Sequence, residues 1–132
     1  MSMDIIEVPV SPGEVLDKIT ILEIKSERMS DPAKLANVRA ELALLQETWS
    51  KAVREDEVVR GLHAQLREIN EALWVIEDYI RDKERVRQFD QRFIELARSV
   101  YFTNDRRSAV KKQLNLHLGS RIIEEKSYQD YS

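Results

Sequence analysis

Three groups of polar side chains occupy helical positions where an apolar residue would be routine, and each could hold a ligand. The first is a stripe in the last helical segment. Phe93, Ala97 and Val100 set a core line that continues at the same spacing through Asn104, Ser108, Lys111 and Asn115. At roughly 100° per residue, Asn104, Lys111 and Asn115 stay within about 40° of one another. A lysine and two amides turned inward would need partners, because an unpaired buried polar group is costly, and an anionic or hydroxyl-rich ligand would supply them. The competing reading is a helix that restarts near Thr103 to Asp105, where Asn and Asp suit an N-cap. The face would then rotate and leave the stripe in solvent. The restart is the simpler expectation.

The second group lies near the start of the chain. Glu14, Lys18 and Lys25 share one face, with Asp17 beside them. Glu14 and Lys18 are spaced for an i,i+4 ion pair, yet a charged line on an otherwise apolar helix is unusual. The third group is Asn70, Trp74, Glu77 and Arg81. An indole flanked by an amide and a carboxylate suits a sugar or a base, and equally suits the edge of a core. Glu77 and Asp78 are adjacent, so on a helix they point apart and make a poor acid–base pair.

Other chemistries are closed off. The 132 residues contain no cysteine, so disulfides, zinc–thiolate sites and thiol nucleophiles are excluded. His63 and His117 are the only histidines and lie far apart. No metal site and no cofactor is expected, and no phosphate loop, dinucleotide fingerprint or His-Glu-x-x-His motif is present. The net charge of −3 argues against nucleic acid as a partner. The basic runs at Arg81 to Arg87 and Arg106 to Lys112 read as solvated helix faces. No apolar run is long enough for a membrane span. The first residues lack a basic-then-apolar signal pattern, so a cytoplasmic protein is expected.

The elements that position these groups are helices. Three glycines and three prolines leave little turn chemistry for a many-stranded fold. Residues 1–10 read as a short extended arm, since Pro9 bars a central strand. Ser11-Pro12-Gly13-Glu14 is a helix start with a capping box, opening a first helix over 12–28. That helix is apolar on two faces, with Val15, Ile19 and Leu22 on one and Ile21 and Ile24 on the other, so it belongs at the bundle centre or a subunit interface. Asp31-Pro32 opens a second helix over 32–54. Its Leu35, Val38, Leu42, Leu45, Trp49 and Ala52 alternate three and four apart. The third, over 57–81, carries the same alternation through Val59, Leu62, Leu66, Ile69, Leu73, Ile76 and Ile80. Both are coiled-coil seams, and the short charged connection favours their pairing as an antiparallel hairpin. A fourth helix over 90–118 ends before Gly119, and 119–132 form a tail with enough apolar surface to dock.

Ser11 to Lys25, Thr103-Asn104-Asp105-Arg106-Arg107 and Glu124-Glu125-Lys126-Ser127-Tyr128 resemble stretches of a family of small bacterial and phage proteins of unknown function. The resemblance covers nearly the whole chain and implies no activity. It implies that some relatives accompany surface-polysaccharide or glycosyl-transfer proteins. It also draws emphasis to Asp17, Lys18, Lys25, Asn104, Asp105, Arg106, Lys111, Asn115, Glu125 and Lys126 as candidate ligand-binding residues.

The expectation is an all-α, single-domain bundle of about four helices. Helices two and three form the hairpin against helices one and four. Functionally it is a non-catalytic interaction or assembly protein, a homo-oligomer with room for a protein partner. The alternative is a binding module or enzyme for an anionic small molecule, sugar- or nucleotide-linked. Its site would lie between helices one and four, closed by the tail, with Lys18, Lys111 and Arg106 converging in one cavity.

Overall fold

The computed structural model describes residues 4–131. The first three residues of the expected arm and Ser132 of the tail lie outside the described residues. Four helices follow in order: α1 (Pro12–Arg28), α2 (Pro32–Ala52), α3 (Glu57–Arg85) and α4 (Gln91–His117). They form an all-α bundle, and the described residues contain no strand.

Each helix start is secured by its own cap. Ser11 Oγ accepts from Glu14 N at 3.3 Å, and Asp31 Oδ1 accepts from Ala33 N at 2.9 Å. Asp56 and Asp90 do the same for Val59 N and Phe93 N at 2.8 and 3.0 Å. These oxygens satisfy backbone donors that have no partner within the helix. Pro12 and Pro32 occupy the first turn, where a missing N–H costs nothing. At the other end of α4, Gly119 takes φ 68°. Its N–H reaches Leu116 O at 3.2 Å and Ser120 N reaches Asn115 O at 2.9 Å, which ends the helix in a Schellman motif.

α1 is the centre. It packs against α2, α3 and α4, which explains its two apolar faces. Leu16 and Ile19 of α1 join Trp49 of α2, Val59, Leu62, Leu66 and Ile69 of α3, and Val110 and Leu114 of α4 in one core. The hairpins differ from expectation. α3 pairs with α4, and α1 with α2, while α2 makes no close backbone approach to α3 or α4 among the described residues. Ion pairs mark both hairpins as antiparallel. Lys83–Asp90 at 2.9 Å and Asp56–His117 at 2.8 Å tie the two ends of α3/α4, and Lys18–Glu41 at 2.7 Å bridges α1/α2. Two seams of equal quality can each choose among partners. The central α1 takes the space between α2 and α3 because only it has apolar surface for both.

Two further corrections concern α3 and α4. α3 continues through Asp82, Lys83 and Glu84 to Arg85, four residues beyond the expected end at 81. α4 is unbroken through Thr103 to Asp105, so the expected restart does not occur. Its core line is Leu96, Thr103, Val110 and Leu114, while Ala97, placed on the core line by spacing, is exposed. Residues 4–10 form an exposed arm, and the tail follows α4 without regular structure.

The turn between α3 and α4 lacks glycine. Arg87 takes φ 56° there, with its N–H on Glu84 O at 3.1 Å and Gln88 N on Lys83 O at 3.0 Å. A side chain in this region costs about 1 kcal/mol that glycine does not incur. Arg87→Gly should therefore raise unfolding stability by about 1 kcal/mol in urea titrations; an unchanged or lower midpoint would contradict the strain argument.

Candidate functional site

The polar stripe of α4 is buried along most of its length, against the simpler expectation. Lys111 and Asn115 are buried and Asn104 and Ser108 are half-buried. What faces them is α1. Asn115 Oδ1 accepts from Gly13 N at 2.7 Å. A Cβ at Gly13 would lie 2.7 Å from Lys111 O and 2.9 Å from Asn115 Oδ1, so only glycine allows the two backbones to approach this closely. Lys111 Nζ donates to Glu14 Oε2 at 2.8 Å and to Glu124 Oε2 of the tail at 3.1 Å, and lies 3.9 Å from Asp17 Oδ2. The expected capping box is thus half made. Ser11 caps, but the Glu14 carboxylate turns to an ammonium, a stronger partner than a neutral N–H.

Asp17 is the most deeply buried acid of the network, 2% exposed. Its Oδ1 accepts from Asn70 Nδ2 at 2.9 Å and its Oδ2 from Arg107 Nη2 at 2.8 Å. Asn70 Nδ2 also donates to Thr20 Oγ1 at 2.8 Å. Burial alone pushes the Lys111 ammonium toward a lower pKa, but the Glu14 and Glu124 hydrogen bonds and the Asp17 charge outweigh it and raise the value. The same Lys111 bond holds the Glu124 carboxyl below its ordinary range. Among the described residues no buried side-chain nitrogen or oxygen lacks a partner.

The expected site between helices one and four is therefore a closed ion-pair network. The void beside it measures about 20 Å³, room for a water and no more. Lys18, Lys111 and Arg106 do not converge. Lys18 is exposed and paired with Glu41 on the α2 side, Arg106 is exposed, and Lys111 is buried. Of the other expected residues, Asp17, Lys111 and Asn115 form the network. Lys25 and Asn104 line a cleft between α1, α3 and α4. Asp105 accepts from the Tyr131 hydroxyl and Glu125 lies 3.6 Å from Lys112, while the Lys126 ammonium sits 5.4 Å from the Tyr128 ring centroid.

Elsewhere among the described residues the surface opens into clefts. The one between α1, α3 and α4 holds about 380 Å³ and is lined by Lys25, Asn70, Trp74, Glu77, Arg81 and Arg107, among others. It unites the polar line expected on α3 with one lysine from α1. Another, about 750 Å³, lies under the tail, between Tyr101, Asp105, Lys126, Tyr128 and Tyr131. Tyr131 packs its ring on Tyr101 and Phe102, with centroids 5.1 and 4.9 Å away. Its Asp105 bond pushes the phenol pKa up to about 12. No three His, Asp or Glu side chains among the described residues gather as a metal site requires. No helix among them is long and apolar enough to cross a membrane.

The match of a protein-family model extends over residues 6–131. The chain belongs to DUF6165, a family of unknown function. No curated protein and no solved structure matches it. The DUF6165 match contains the buried network, both clefts and the docked tail. Sequence spacing passed over Arg107, Gly13 and Glu124. A glycine in the first turn of a well-capped helix was the available signal, because it costs stability unless another backbone comes close.

Two measurements check this account. Asp17→Ala leaves Arg107 and Asn70 without their buried partner and should cost about 3–5 kcal/mol in urea unfolding. Lys18→Ala, one residue away on the surface, should change stability by less than about 0.5 kcal/mol. Equal effects would dismiss the network as the organising contact. The second is a pH series. Glu23, at 3.0 Å from His63 Nε2, raises the His63 pKa above its usual value, more than burial lowers it. The raised value means this contribution is whole below the unfolded pKa of about 6.5 and is lost as pH rises through the folded pKa. Stability should fall from pH ~6 to pH ~8, and His63→Gln should flatten that part of the profile. A fall that persists unaltered in the variant would assign it elsewhere.

Proposed function

We propose that this chain is a non-catalytic helical interaction module of the cytoplasm that self-associates through a coiled-coil seam on α2. The carrying observation is the incomplete cover of that seam. α2 comes close to α1 alone, and of its seam only Val38 and Trp49 are buried. Leu35, Leu42 and Leu45 are half-covered, and Leu44 beside them is 52% exposed. A stripe of this length in a bundle normally packs between two neighbouring helices, and among the described residues only α1 comes within close backbone distance of α2, with Leu42 and Leu45 touching the core along one side. A second α2, related by a two-fold axis, would present the same leucines in return. The apolar surface at the far end of α3/α4, with Tyr79, Val86, Phe89 and Ile94 exposed, leaves room for a different protein partner as well. The buried charges favour a structural role, since Asp17, Lys111 and Arg107 are engaged with one another and with their neighbours.

Light scattering on the purified chain at tens of micromolar should give at least twice the 15.5 kDa mass of one copy. Leu44→Glu, at an exposed position, should shift the population to monomer with helical circular dichroism unchanged. A monomer at that concentration for the unaltered chain would overturn the reading.

A further inference from the structure

We infer that the cleft between α1, α3 and α4 binds a small organic anion built on a flat ring, with a hydrogen-bond donor on the ring and one carboxylate or phosphate group. The cleft belongs to a single chain and is independent of self-association. Its volume of about 380 Å³ falls in the range of small-molecule sites. Three helices supply its walls, so it is formed before any ligand arrives.

Three features of the walls specify the ligand. The first is Lys25. Arg81 faces Glu77 at 3.3 Å and Arg107 faces Asp17 at 2.8 Å, so both guanidinium groups are compensated. Lys25 is half-buried in the same wall and has no carboxylate partner among the described residues. Glu77 and Asp78 also line the cleft, but neither comes within ion-pair distance of Lys25, so this half-buried side chain is left to take one anionic group from a ligand. The second is Asn70, which is 5% exposed. Its Nδ2 donates to Asp17 and to Thr20, which fixes the amide orientation because the carboxylate can only accept. Its Oδ1 has no donor among the described residues, and it is not sealed in, since no buried oxygen there is unsatisfied. The oxygen therefore opens on the cleft that Asn70 lines, as an acceptor waiting for an N–H or O–H. The third is Trp74, half-buried, with the Arg28 guanidinium 5.9 Å from its ring centroid. Beside it Ile21, Ile24 and Leu73 make the apolar part of the wall, which suits a flat ring.

Nucleoside monophosphates and aromatic hydroxy acids share this chemistry, and titration separates them. Calorimetry and tryptophan fluorescence would be run with the monophosphates of the four nucleosides, para-hydroxybenzoate, inorganic phosphate and the uncharged nucleosides. Trp49 is buried and donates to Glu55 at 3.0 Å, so the fluorescence response should come from Trp74 and vanish in Trp74→Phe. At least one ring-bearing anion should bind saturably, and inorganic phosphate and uncharged nucleosides at least about tenfold more weakly. Response to the monophosphates alone assigns the anion to phosphate, and response to para-hydroxybenzoate alone assigns it to carboxylate. Lys25→Gln should weaken binding about tenfold with an unchanged melting temperature, because Lys25 holds no other side chain. No binding by either class at millimolar concentration would overturn the inference. So would phosphate binding as tightly as the ring-bearing anions, or an affinity that Lys25→Gln leaves unchanged. None of these results alters the light-scattering mass, so failure here is distinct from failure of the assembly reading.

Discussion

A buried carboxylate has to be matched on every oxygen, and Asp17 imposes that requirement on the rest of the bundle. Taking an ion out of water costs several kcal/mol, which is recovered only with partners in good geometry. Asp17 on α1 finds them on α3 in Asn70 and on α4 in Arg107, with Lys111 close by. Rotating any of these helices by one residue would strand the charge. Apolar packing alone tolerates such slips, because one leucine can replace another in a seam. The network therefore selects one register for three helices at once. α2 is outside it, held by apolar contacts and by surface pairs such as Lys18–Glu41.

The polar stripe of α4 serves two purposes along its length. Its C-terminal part is closed, with Gly13 brought against Asn115 and with Glu14 and Glu124 on Lys111. Its N-terminal part opens, since Asn104 and Arg107 border the cleft that α1 and α3 complete. The difference lies in what crosses each segment. Where α1 begins, its glycine lets backbone meet backbone. About two to three turns later its larger side chains, Ile21, Ile24 and Lys25, hold the helices apart and leave a space.

The tail is tied to the same surface by weaker means. Glu124 is half in the network, and its carboxyl is stabilised in the charged form by Lys111. Beyond it the contacts are exposed, with Glu125 near Lys112 and Tyr131 against Tyr101 and Phe102. Exposed pairs of this kind contribute little each. Hold on the tail therefore decreases from Glu124 outward, and the larger cleft beneath it depends on the aromatic contact at Tyr131.

Local rules in the sequence determine the helices themselves. Caps such as Ser11, Asp31, Asp56 and Asp90 act within three residues, and the three-four spacing of α2 and α3 shows one apolar stripe each. The two apolar faces of α1 were visible for the same reason, and its central position follows from them. Which helix pairs with which was not legible, because the seams of α2 and α3 are alike and a short connection does not make its helices partners. Nor was the burial of the α4 stripe. Its counter-charges come from Glu14, Asp17 and Glu124, and their approach depends on Gly13, all distant in the chain or without periodic signature. Polar residues on a helix look the same in sequence whether they meet water or each other. Only the tertiary structure decides, because pairing energy depends on distance in space and on exclusion of solvent, and neither is written in spacing along the chain.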